Sequence, residues 1–159
     1  MIELKNILMF TIEKVKKDFK LSKTISFKEN KGSYTETLTE QFSDFGCFCD
    51  IYIQEFENEI LQNQIDTFNY FLDNFKSYLA QINAFVFSNL KSFERNTENQ
   101  LVFDVIFIPQ NNSKYDLVLV CGKKINFLLF NKQITLRIEF KDNFIKSIKR
   151  TNNSMEDNT

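Results

Sequence analysis

Ten apolar residues recur at four-three spacing through the middle of the chain: Leu61, Ile65, Phe68, Leu72, Phe75, Leu79, Ile82, Val86, Leu90 and Phe93. That spacing places them on one stripe of an α-helix. Phe71, Tyr78 and Phe85 widen the stripe, which then suits a sheet better than a narrow coiled-coil seam. Asn58 is placed to cap the helix start, and Glu59 to meet the positive end of the dipole in the first turn. Unbroken from Glu59 to Glu94, such a helix would be about 54 Å long. A compact domain of this chain length is only about 40 Å across. The helix must therefore break, bend or project. Asp73-Asn74, two poor helix formers, mark the expected break; a projecting helix that dimerises through its seam is the alternative.

Strands are expected on both sides. Over Gly46–Phe56, Cys47, Cys49, Ile51 and Ile53 share one face, and Asp50, Tyr52 and Gln54 the other. After a loop at 95–100, strands are predicted at Leu101–Ile108, Tyr115–Cys121, Ile125–Phe130, Ile134–Phe140 and Phe144–Ile148. Short links such as Gly122-Lys123-Lys124, Asn131-Lys132 and Lys141-Asp142-Asn143 have hairpin chemistry. The first thirty residues are ambiguous: Ile12, Val15 and Phe19 step like a helix, while Phe10/Ile12 alternate like a strand. Thr24–Phe27 reads as a short strand, Lys31-Gly32-Ser33 as a turn, and Tyr34–Thr39 as polar and β-prone. The expected fold is α+β: an antiparallel sheet, built from a C-terminal meander plus N-terminal strands, packed against one long broken helix or two consecutive helices. Residues 1–150 are expected to form one domain, followed by a disordered polar tail at 151–159.

Charge is segregated along the chain. Residues 1–31 hold eight Lys against four acids, residues 32–100 hold three bases against eleven acids, and residues 101–159 hold nine bases against six acids. Between Lys31 and Lys76 there is no base at all, but nine carboxylates. Such a pattern bears on partners rather than on fold. The nineteen Phe and eighteen Asn follow AT-rich codon usage, as expected of an AT-rich bacterial genome, so the Phe residues read first as core.

Much chemistry is excluded. There is no histidine, which removes Ser-His-Asp and Cys-His constellations and most zinc sites. No GxxxxGK[ST] or GxGxxG phosphate loop occurs. Carboxylate, Lys or Tyr catalysis is unmarked, so no enzyme activity and no cofactor are expected. Cys47, Cys49 and Cys121 could direct three thiolates to a soft metal if their strands were adjacent; the bland reading is three small core residues. Glu55, Glu57 and Glu59 read as a solvated acidic junction. The odd cysteine set and the absence of a signal peptide or membrane-spanning stretch suit a cytoplasmic protein. Scarce Arg and an acidic pI argue against nucleic acid, and no membrane is expected as a partner.

The residues Cys49-Asp50-Ile51-Tyr52-Ile53-Gln54-Glu55, then Gln64, Phe68 and Tyr70-Phe71-Leu72-Asp73-Asn74, and later Tyr115-Asp116-Leu117 through Cys121, form a loose pattern over residues 46–140. It resembles certain uncharacterised small bacterial α+β domains similar to immunity proteins encoded beside toxins. The chain departs from it after Cys121, where Gly122-Lys123-Lys124-Ile125 replaces an acidic-His-Gly segment. The resemblance implies a binding role and transfers no catalytic residue. The expectation is a non-enzymatic protein-binding domain, monomer or homodimer, that meets a basic partner such as a toxin through Asp44, Asp50, Tyr52, Gln54 and Glu57. The alternatives are an oligomerising protein that uses the helical seam, and a small-ligand binder with a Phe-lined pocket.

Overall fold

The computed structural model describes residues 9–22, 33–38, 49–55, 57, 59–89, 101–110, 114–127 and 130–151. The elements run α1 (Ile12–Asp18), β1 (Lys20–Ser22), β2 (Ser33–Leu38), β3 (Cys49–Gln54), α2 (Gln62–Asp73), α3 (Phe75–Asn89), β4 (Leu101–Ile108), β5 (Leu117–Phe127), β6 (Phe130–Lys141) and β7 (Phe144–Thr151). The seven strands lie in sequence order. Every neighbouring pair is antiparallel except β3 and β4, which are parallel. Parallel neighbours need a crossover, and α2 with α3 lies in that crossover.

The helical stripe behaves as its period requires. Ile65, Phe68, Leu72, Phe75, Ile82 and Val86 are buried, with Phe71 and Tyr78 alongside. They share one core cluster with Ile51 and Ile53 of β3, Ile106 and Ile108 of β4, Leu119 and Cys121 of β5, and Leu136 and Ile138 of β6. Aromatic rings lock helix to sheet: Phe75 lies edge-on to Phe103 at 5.1 Å, and Phe71 and Tyr78 both meet Phe140, at 5.4 and 4.9 Å. Edge-to-face contacts of this kind add about 1 kcal/mol each to area burial. The fold is α+β, with the sheet packed against helices.

The helix breaks at Asn74. Its backbone N–H and its side-chain amide both donate to the Tyr70 carbonyl, at 3.1 and 2.9 Å. Its own carbonyl accepts from Ser77 and Tyr78. One residue thus closes α2 and opens α3. No helix among the described residues is long and apolar enough to cross a membrane.

At the N-terminus the helical reading prevails for residues 12–18. Thr11 Oγ1 accepts from the Lys14 N–H at 3.1 Å, capping α1. Phe10 exchanges two hydrogen bonds with the Asn69 side chain, of 2.8 and 2.9 Å, and its ring meets Phe68 at 5.0 Å. The expected strand at Thr24–Phe27, the turn residues Lys31 and Gly32, and the tail from 152 lie outside the described residues; Thr151 pairs with Thr135 in the sheet.

Three expectations are corrected. Helix α2 starts at Gln62, so Glu59 lies outside its first turn, and Leu61 rather than Asn58 is the cap residue. Ile60 and Ile65, at the positions of a hydrophobic staple, are both buried and draw the chain inward before the helix begins. Second, Gly122-Lys123-Lys124 is not a turn. Gly122 sits mid-strand between Val102 and Thr135, and Lys123 between Leu101 and Ile134. Third, Asn131-Lys132 lies inside β6, and the described residues of the expected Ile125–Phe130 strand fall in β5 and β6, so five expected strands become four. A lone glycine with two lysines does not turn a chain when both neighbouring strands supply a full ladder.

Candidate interaction surface

Strand β3 divides its side chains between two environments. Cys49, Ile51 and Ile53 enter the main core, and Asp50 and Tyr52 face the other way, half-buried. On that second side Val105, Val118 and Val120 form a separate apolar cluster, with Tyr52, Phe107 and Tyr115 packed against it. The buried apolar residues of all described helices lie in the other cluster. A bulge at Asp104 creates this split: Phe103 pairs with Cys121 on the helix side, and Val105, one residue too far along, pairs with Val120. Bulges re-aim side chains in this way.

Two rows of paired residues cross the sheet on this face. One runs Asp50, Val105, Val120, Arg137, Lys149, and the other Tyr52, Phe107, Val118, Glu139, Ser147. At its β3 end the face is acidic and aromatic. Burial pushes the Tyr52 phenol up, and the neighbouring Asp50 carboxylate, through charge and a hydrogen bond, pushes it further. At the opposite end Glu139, only 3% exposed, is surrounded by donors. Arg137 Nε lies 3.0 Å and Lys149 Nζ 3.2 Å from its carboxylate, and Ser147 Oγ donates to it as well. Burial alone would raise the Glu139 pKa, but the three hydrogen bonds and the Lys149 charge overcome it, holding the group at about 2. The Arg137 guanidinium also lies 5.7 Å from the Tyr115 ring centre, a cation–π distance.

Of the five residues expected to make contact, the structure brings two together. Asp50 and Tyr52 are adjacent on the face described above. Glu57 is exposed, at a left-handed turn with φ of 49° that carries the chain off β3. Asp44 lies outside the described residues. Gln54, expected on the polar face, is instead buried and internally committed. Its Oε1 accepts from the Gln110 N–H at 3.1 Å, and its carbonyl accepts from Gln64 Nε2 at 2.8 Å. The end of a parallel pair leaves main-chain groups that must find partners, and Gln54 and Gln64 supply them. Glu55 is also buried, unlike the solvated junction expected.

The two described cysteines do not sit on neighbouring strands. Cys49 on β3 and Cys121 on β5 are separated by β4, and both are fully buried in the core. Burial pushes the Cys121 thiol up to about 12, with Asp104 adding to the shift, which disfavours the thiolate a metal needs. Cys47 lies outside the described residues. Among the described residues no group of three or more candidate ligands could hold a metal ion.

Sequence reasoning missed Arg137, Glu139, Ser147 and Lys149 as a cluster. The available signal was alternation: Arg137 and Glu139 share the face opposite Ile134, Leu136, Ile138 and Phe140. Finding Lys149 and Ser147 required the β6–β7 register. Comparisons with protein-family profiles, with curated proteins and with solved structures gave no match.

Proposed function

We propose that this chain is a non-enzymatic, cytoplasmic protein-binding domain of the immunity type, which meets a basic partner surface such as a toxin's through the acidic β3 part of its sheet. The observation that carries the reading is the pairing of Asp50 with Tyr52 on the face of β3 turned away from the core, with exposed Glu57 at the exit of the same strand. Tyr52 supplies the aromatic anchor common at binding hot spots. The carboxylates supply steering, favoured by a stretch of the chain that carries no base from 32 to 75. The fully buried thiols of Cys49 and Cys121, neither in a disulfide, suit a reducing compartment.

The alternative of oligomerisation through the helical seam is disfavoured where the described stripe residues from Ile65 to Val86 pack into the chain's own core. A Phe-lined pocket is disfavoured where Phe71, Phe75, Phe103, Tyr78 and Phe140 pack ring against ring.

The test is a pull-down from native lysate at low and high salt, followed by affinity measurement with the purified captured protein. Asp50→Lys combined with Glu57→Lys is expected to weaken binding by about tenfold or more at low salt without moving the unfolding midpoint. A single partner held equally well by the variant would refute the acidic-face reading.

A further inference from the structure

Helix α2 spends one face on the core, where Ile65, Phe68, Phe71 and Leu72 are buried. On the opposite face Gln62, Asp66, Tyr70 and Asp73 are exposed. They stand at positions i, i+4, i+8 and i+11, which form one stripe. Tyr70 is among the few large apolar side chains left exposed in the described residues, at 44%. The helix carries no base, and none occurs from residue 32 to 75. We propose that this stripe of α2 is a binding surface for an arginine of a basic partner protein, its guanidinium stacked on Tyr70 between the carboxylates of Asp66 and Asp73. The stripe is separate from the face of Asp50 and Tyr52, because α2 packs on the other side of the sheet. The inference therefore goes beyond the reading above and does not rest on it.

The local geometry prepares the stripe for such a guest. Gln62 Nε2 donates to Asp66 Oδ1 at 2.8 Å, which orients the carboxylate and leaves its second oxygen to accept. Helical side chains lean towards the N-terminus, so the Tyr70 ring leans over the turn that carries Asp66. Asp73, three residues on, is its neighbour on the other side. Among the described residues no ring contact, ion pair or hydrogen bond engages the Tyr70 side chain or the Asp73 carboxylate. Lys76, the next base along the chain, lies beyond the break at Asn74 on α3 and forms no ion pair with Asp73. Elsewhere the molecule shows the same arrangement filled. The Arg137 guanidinium lies 5.7 Å from the Tyr115 ring centre while its Nε meets the Glu139 carboxylate at 3.0 Å.

The chemistry of the stripe chooses the occupant. Two carboxylates repel the phosphates of nucleic acids and of anionic lipids, and attract a basic polypeptide. A ring beside a carboxylate suits a guanidinium better than an ammonium, because the guanidinium is planar, more weakly hydrated, and able to stack and pair at once. A second copy of this chain would offer chiefly lysines, such as the exposed Lys16 and Lys17 of α1, and fits less well.

The probes are two capped peptides that differ only in their bases, Gly-Ser-Arg-Ala-Arg-Ser-Gly and Gly-Ser-Lys-Ala-Lys-Ser-Gly. Each is titrated at low salt into the full isotope-labelled chain, and amide chemical shifts are followed. Saturable shifts are expected around Asp66, Tyr70 and Asp73, with the arginine peptide bound about threefold more tightly than the lysine peptide. Tyr70→Ala should weaken the arginine peptide about fivefold, whereas Tyr70→Phe, which keeps the ring, should leave it nearly unchanged. Asp66→Asn combined with Asp73→Asn should weaken it about tenfold at low salt. Glu57→Gln combined with Glu59→Gln should leave it in place, which separates the stripe from the general acidity of the region. All these positions are exposed, so circular dichroism and the unfolding midpoint are expected to hold. No saturable shift on α2, equal binding of the two peptides, full affinity in Tyr70→Ala, or a dimer that already covers Tyr70 without peptide would each overturn the inference.

Discussion

The two ends of the β3–β7 part of the sheet are held together by different chemistry. At the β3–β4 end the parallel strands finish in neutral amides. Gln64 Nε2 donates to the carbonyls of Gln54 and Pro109, both at 2.8 Å, and Gln64 Oε1 accepts from the Leu61 N–H at 2.9 Å. At the β6–β7 end the fastening is ionic, with Glu139 at its centre. A second ionic fastening holds the hairpin: Asp116 accepts from Lys141 Nζ and from the Asp142 N–H, both at 2.7 Å. The charge segregation visible in the chain thus becomes a difference between ends. Asp50 and Lys149 stand in the same row of paired residues, four strand steps or about 19 Å apart. The two ends should therefore respond differently to pH, and each can be broken alone.

The largest effect is expected from Gln64→Leu. It leaves two buried carbonyls and one N–H without their partner, at a cost of about 3 kcal/mol or more, read as a lower urea midpoint. Because the lost groups do not titrate, the deficit should be the same at pH 7 and pH 4. A deficit that vanishes in acid would break the contrast between the ends.

Glu139→Gln should behave in the opposite way. The folded-state pKa of Glu139, about 2, lies below its ordinary value, so its ionised form stabilises the fold above the unfolded pKa. That contribution falls away as pH drops from about 4.5 towards 2. At pH 7 the substitution should cost on the order of 3 kcal/mol, shrinking steadily in acid until the variant and the parent converge. A constant difference across this window would show that packing, not charge, holds this end.

Smaller effects sharpen the picture at the turns. Tyr78 Oη donates to the Asn143 carbonyl at 2.6 Å across the Asp142-Asn143 turn, where both residues have positive φ. Tyr78→Phe should cost about 1 kcal/mol, with faster amide exchange at the start of β7 and none at β3. Glu57→Gly, at the left-handed position leaving β3, should be neutral or stabilising by up to about 1 kcal/mol, measured by thermal unfolding. If it destabilises clearly, the Glu57 side chain is fixing the turn and not merely tolerating it.

Period carried most of what could be read in advance. The four-three stripe placed the helix, and the poor helix formers Asp73 and Asn74 placed its break. Strand β4 matched its expected limits, Leu101–Ile108, because a short, nearly continuous run of β-branched and other apolar residues bounded by polar loops leaves little choice. Two kinds of information were absent. Ends failed where local chemistry was outvoted: Asn58 and Glu59 look like a helix start, but burial of Ile60 and the Gln64 hydrogen bond move it to Gln62. Cross-strand facts failed because they belong to no single segment. The bulge at Asp104 inverts the facing of β4 from Val105 onward, and the parallel pairing of β3 with β4 buries Gln54, which alternation alone assigns to solvent. Asp50 and Tyr52 were legible because one strand's period suffices to place both.

Gln64 has a consequence for how the chain assembles. Its one side chain bridges positions 54 and 109, which meet only after the whole helical crossover has been laid down. Should β4 dock one residue out of step, both amide hydrogens would be sealed away from their acceptors, and the near-miss would be penalised at once. The residue acts as a proofreading contact: it stabilises the parallel pair only when both strands have stopped at the right place.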